Sequence, residues 1–84
     1  MFLHVEQVAL KEGYEFRLQF SDGVVKDVDL SSELYGEVFE PLREPGFFSK
    51  VKVSQETRTI EWPNGADFAP EFLYEIGREE KQVA

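Results

Sequence analysis

The chain of 84 residues has no cysteine, which excludes disulfides, thiolate metal sites and cysteine nucleophiles. His4 is its one histidine, so zinc and iron–sulfur chemistry lose their usual ligands. No apolar run approaches the roughly 20 residues that span a bilayer. The opening stretch "MFLHVEQV" lacks both the basic and the long apolar region of a signal peptide. The expectation is a cytoplasmic protein with no membrane partner. Basic residues are scarce too: 9 Lys and Arg stand against 17 Asp and Glu, for a formal charge of −8. Nucleic-acid affinity comes largely from neutralising phosphates with Lys and Arg, so no direct DNA or RNA binding is expected. Glycine-rich phosphate loops, the G-x-S-x-G nucleophile turn and the aspartate-rich calcium loop are all missing.

What is present describes a small folded domain. With 42% hydrophobic and 31% charged residues the composition is globular rather than disordered. Aromatic residues reach 14%, and each Phe or Trp can bury about 150–250 Å², which offsets the small size. The Phe residues are spread from Phe2 to Phe72, as a single shared core requires. No repeat or linker interrupts the chain, so residues 1–77 are read as one α+β domain and 78–84 as a polar C-terminal tail that frays.

Residues 14–20 carry the clearest pattern. Tyr14, Phe16, Leu18 and Phe20 alternate with Glu15, Arg17 and Gln19, a period of two that predicts a strand with one buried face. Ser21-Asp22-Gly23 then supplies a hairpin turn. Residues 24–30 alternate again, with Val24, Val28 and Leu30 on one face and Val25, Asp27 and Asp29 on the other. Upstream, residues 3–10 read as a first strand with Leu3, Val5 and Ala9 on one face, which completes an antiparallel meander. The middle holds Gly36, Pro41, Pro45 and Gly46, which limit it to two helical turns over 38–43 and 45–49. Val38, Phe39, Leu42, Phe47 and Phe48 form the apolar side of that connector and are expected to cap the sheet. A second hairpin follows, from 50–53 and 58–62, with Ile60 and Trp62 on one face. A helix over 70–76 then places Phe72, Leu73 and Ile76 together and ends at Gly77. The predicted order is β-β-β-α-α-β-β-α.

Three segments carry a family resemblance: "SDGVVKDVDLS", "GEVFEPLREPGFFSKVKV" and "IEWPNGADFAPEFLYE". Together they resemble the small prokaryotic family known as domain of unknown function 2442, over about His4 to Glu75. The resemblance implies a small α+β domain with a mostly antiparallel sheet and no established enzymatic activity. It also implies an antitoxin-like half of a two-protein module. Relatives with an added helix-turn-helix domain exist; this chain runs only to Ala84, and no DNA-binding unit is expected in it.

The candidate chemical groups divide into two readings. His4 lacks a nucleophile–base partner and reads as a strand histidine rather than a catalytic one. Phe47 and Phe48 read as core, and Lys50, Lys52 and Arg58 as edge-strand protection. Asp27 and Asp29 share a strand face, followed by Glu33, Glu37 and Glu40. They read as a solvated acidic patch suited to a basic partner, with no metal site and no cofactor expected. In Trp62-Pro63-Asn64-Gly65-Ala66-Asp67 the structural reading is a strand-end anchor, a type I or II β-turn, and a carboxylate that accepts backbone N–H groups ahead of the next helix. The functional reading gathers Trp62, Asn64, Asp67 and Tyr74 around a recognition surface. The expectation is a non-enzymatic interaction protein binding a small basic protein. The alternative is a small-ligand or regulatory domain with its site near Trp62 and Asp67. Nothing in the sequence specifies an oligomeric state.

Overall fold

In this computed structural model, which describes residues 3–79, the alternating segment becomes the strand around which the rest is arranged. The strands β1 (Val5–Leu10), β2 (Glu15–Phe20) and β3 (Val25–Asp29) form the expected meander. Phe16, Leu18 and Phe20 of β2 are fully buried, and Val28 pairs opposite Phe16 on the same face. The Asp-Gly turn is closed by the Gly23 N–H donating to Phe20 O at 2.9 Å, with Asp22 Oδ1 accepting from the Val24 N–H at 3.0 Å.

The first strand departs from simple alternation. Val5 pairs with Phe20, but Gln7 pairs with Gln19, so Glu6 is the extra residue of a β-bulge. One inserted residue reverses the parity of everything after it. Val8 and Leu10 therefore lie opposite Leu18 and Phe16, and Ala9 lies opposite Arg17 on the other face, not beside Val5 as expected. Lys26 is a second departure. It pairs with Leu18 on the core face, and its aliphatic stem runs beneath the last helix while its ammonium reaches Tyr74 O at 2.6 Å.

The connector forms a 3-10 turn at Glu40–Arg43 and a short helix α1 at Pro45–Phe48. The Glu44 carboxylate caps that helix, both of its oxygens accepting from the Gly46 N–H. Leu42 and Phe48 are buried and Phe39 and Phe47 pack against the core; Val38, expected to join them, is 42% exposed. A two-residue pairing of β4 (Lys52–Val53) with β5 (Ile60–Glu61) makes the second hairpin, with Lys52 opposite Glu61. It is shorter than the pattern suggests because Ser54 to Thr59 close a wide turn in which the Arg58 N–H donates to Ser54 O at 2.8 Å.

The helix α2 (Pro70–Ile76) starts on its proline as expected. Gly77 ends it in an extended conformation (φ −72°), not the left-handed one usual for a terminal glycine. Its requirement is space. A Cβ there would lie 2.9 Å from Leu73 O and 3.0 Å from both Lys26 Cβ and Val28 Cγ2. That close approach lets the chain turn directly into a sixth strand, β6 (Arg78–Glu79), which pairs antiparallel with β3 and completes the sheet order β1-β2-β3-β6. Arg78 and Glu79, grouped with the tail in the sequence reading, thus belong to the sheet; residues 80–84 of that tail lie outside the described residues. The architecture is α+β with a mostly antiparallel sheet. The helices and the β4–β5 hairpin share one core with a single sheet face.

Candidate functional site

Trp62 is the hub of that core. It is 1% exposed, its ring lies 5.7–6.0 Å from those of Phe48, Phe16 and Phe68, and its Nε1–H donates to Phe48 O at 2.9 Å. No part of it is free to meet a partner. Residues 62–66 form a three-residue hairpin loop. The Gly65 N–H donates to Trp62 O and the Trp62 N–H to Ala66 O, both at 2.9 Å. Gly65 has φ +87°, while Asn64 stays at negative φ, so the turn is type I followed by a left-handed glycine. Asn64 is used on both sides. Its Oδ1 accepts from the Ala66 N–H at 3.1 Å and its Nδ2–H donates to Val38 O at 3.0 Å, tying the turn to the connector.

Asp67 does not cap the following helix. Its backbone bridges to Glu61, and the residue at the helix N-cap is Ala69, with no side-chain cap. The Asp67 carboxylate instead lines an open cleft of about 330 Å³ with Glu33, Tyr35, Phe39, Phe68, Ala69 and Phe72. Tyr35 is 66% exposed, more than any other large apolar side chain described. Along the same cleft Phe39 stacks on Phe68, and Phe68 on Phe72. Of the rim carboxylates, Glu33 meets only the Ser32 hydroxyl, at 3.4 Å, and neither Glu33 nor Asp67 has an ion pair among the described residues. The cleft is an aromatic trough with two carboxylates that have no ion pair among the described residues.

The strand carboxylates behave differently. Asp27 takes the Lys11 ammonium on Oδ2 at 3.0 Å and the Arg17 guanidinium on Oδ1 at 3.0 Å. The Arg17 guanidinium first, and the Lys11 ammonium second, hold its carboxyl at about 2, below the ordinary carboxylate range. Across the same face Arg78 pairs with Glu15 at 3.0 Å. Asp29 accepts from the Ser31 N–H at 2.9 Å, closing the strand end. The face expected to present free acid is therefore a ladder of opposite charges.

Tyr74 lies on the far side of α2 from Phe72. Its hydroxyl donates to Asp22 Oδ2 at 2.8 Å, its ring packs edge-on against Phe20, and the Lys26 ammonium sits 3.8 Å from the ring centroid. The Asp22 carboxylate beside it holds its phenol above the ordinary range. Of the residues gathered by the sequence reading, only Asp67 reaches the cleft; Trp62 lies beneath Phe68, Asn64 braces the turn, and Tyr74, Asp27 and Asp29 stand elsewhere. Tyr35 and Phe68 were missed. Tyr35 belongs to no periodic segment; in "SSELYGE" it follows Leu34, which the core takes, and no local pattern marks it as exposed.

His4 lines a separate polar cleft of about 240 Å³ with Glu6, Ser54, Gln55 and Arg58. Among the described residues no group of three or more His, Asp or Glu side chains could hold a metal ion, and no helix is long and apolar enough to cross a membrane. In comparison with known proteins, residues 5–79 match the family described as protein of unknown function (DUF2442). No curated protein and no solved structure matches the chain.

Proposed function

The chain belongs to that family of proteins of unknown function, and on this premise we propose that it is a non-enzymatic interaction protein whose trough at Tyr35 receives a small basic protein. One observation carries the reading: a large aromatic side chain left exposed in a cleft of stacked aromatic rings, with two carboxylates that have no ion pair among the described residues. Exposed aromatic area next to an apolar pocket is where binding energy concentrates. Unpaired acid on the rim of a chain of net charge −8 favours a partner of the opposite sign. The resemblance to two-protein modules makes the product of the neighbouring gene the partner to try first, with neutralisation of that protein, an antitoxin-like role, as the consequence.

Co-expression of the two proteins tests this. The expected result is a purified complex that weakens steeply with salt and is lost in Tyr35→Ala. A complex of undiminished affinity in Tyr35→Ala, or growth inhibition by the neighbour that co-expression leaves unrelieved, would overturn the reading. A free small ligand is the second reading, favoured by a cleft volume of about 330 Å³, which lies at the lower end of ligand pockets. Phe68 joins the cleft to Trp62 at 6.0 Å, so such a ligand would change Trp62 fluorescence.

A further inference from the structure

The trough narrows the partner's chemistry further than charge alone. Phe39 and Phe68 lie 4.7 Å apart at 30° between planes, and Phe68 and Phe72 5.9 Å apart at 14°. Phe68 is 9% exposed and its faces are taken up by stacking on Phe39 and Phe72, while Tyr35, 66% exposed, lines the same cleft with Glu33 and Asp67. The open ring at the cleft is that of Tyr35, and a flat π face beside carboxylates suits a guanidinium, which is planar, weakly hydrated and able to stack while its fork of N–H donors reaches an acid. A lysine ammonium is a compact, strongly hydrated charge and uses that geometry less well. The chain's own nearby arginine is not the occupant: Arg43 does not line the cleft, and its Nε–H donates to Leu34 O at 2.7 Å.

We propose that the trough seats an arginine side chain of the basic partner, its guanidinium against the exposed Tyr35 ring and its N–H groups on Glu33 and Asp67. The inference rests on the reading of the trough as the partner surface and adds the side chain that enters it.

The test titrates the ¹⁵N-labelled full chain with N-acetyl-arginine methylamide, and in parallel with the lysine and citrulline analogues, following amide shifts. The expected result is saturable shifts confined to residues 33–39 and 67–72, with arginine at least about fivefold tighter than lysine and no saturation by citrulline, which has the shape without the charge. Glu33→Gln combined with Asp67→Asn should weaken arginine binding at least about fivefold. The charge-matched control, Glu12→Gln with Glu56→Gln, should not, and the amide spectrum of each variant reports that it is folded. Equal binding of lysine and arginine, binding of citrulline, or arginine shifts outside the trough would overturn the inference. The same Glu33→Gln, Asp67→Asn variant assayed against the neighbouring protein separates the two ideas. If it loses that partner while the arginine analogue shows no preference, only the arginine inference falls; if it keeps the partner at full affinity, the reading of the trough falls with it.

Discussion

Trp62 shows how a conspicuous single residue can be unavailable to a ligand. Its indole fills the centre of the core and its N–H satisfies the Phe48 carbonyl, so both the area and the hydrogen bond are spent internally. Trp62→Ala should cost about 3–5 kcal/mol in denaturant unfolding. Trp62→Phe should cost less but still about 1–3 kcal/mol, since the smaller ring leaves space in the core and the Phe48 carbonyl keeps only the Val51 N–H, at 3.3 Å. Asp27 gives a pH prediction at the same scale. Its carboxyl sits at about 2 when folded, against about 3.9 unfolded. A depressed folded value means that the stabilisation is complete above about pH 4 and lost as pH falls through about 2. Melting temperature followed from pH 5 to 2 should therefore fall less steeply in Asp27→Asn than in the parent. At pH 7 the variant should lose only about 1 kcal/mol, because Arg17 and Lys11 are both partly exposed. These residue roles were unevenly legible. Strict alternation identified Phe16, Leu18 and Phe20, while the partners of Asp27 come from residues 10 and 16 positions away and leave no local pattern.

At the scale of elements, the meander could be read because each strand buries one face and short turns fix the register. The bulge at Glu6 could not, since nothing in "VEQVAL" says that one residue is skipped until Gln7 is seen opposite Gln19. The last strand escaped for a different reason. Two residues carry no period, and β6 exists because Gly77 lets α2 dock against β3 and turn straight into the sheet. Gly77→Ala should accordingly destabilise by about 1–3 kcal/mol through overpacking, although its φ of −72° suits alanine. A substitution without effect on unfolding would show that the α2–β3 approach is looser than 3.0 Å implies. The turn at 62–66 makes the opposite case. Gly65 is required by its φ of +87°, while the space around it is open, with nothing within 4 Å of where a Cβ would stand. Gly65→Ala should cost about 1 kcal/mol from backbone strain alone.

For the molecule as a whole, the acid excess is distributed unevenly in its consequences. On the outer sheet face Asp27 and Glu15 are matched by Lys11, Arg17 and Arg78. Around the Tyr35 trough, Glu33 and Asp67 are not matched among the described residues. The sequence pattern placed the free acid on the strand face, because pairing across the sheet is decided by register and not by the count of charges. The trough itself draws on two distant segments, 33–39 and 67–72, brought together by the Asn64 to Val38 hydrogen bond and the Phe39–Phe68 stack. Whether the trough is the contact surface is read from hydrogen–deuterium exchange of the protein alone and in complex with the neighbouring gene's product. The expected result is new protection in residues 33–39 and 67–72, with β1 to β3 unchanged; protection confined to the Asp27 face or the β1 edge, with the trough exchanging as before, would place the contact elsewhere and overturn the proposed function.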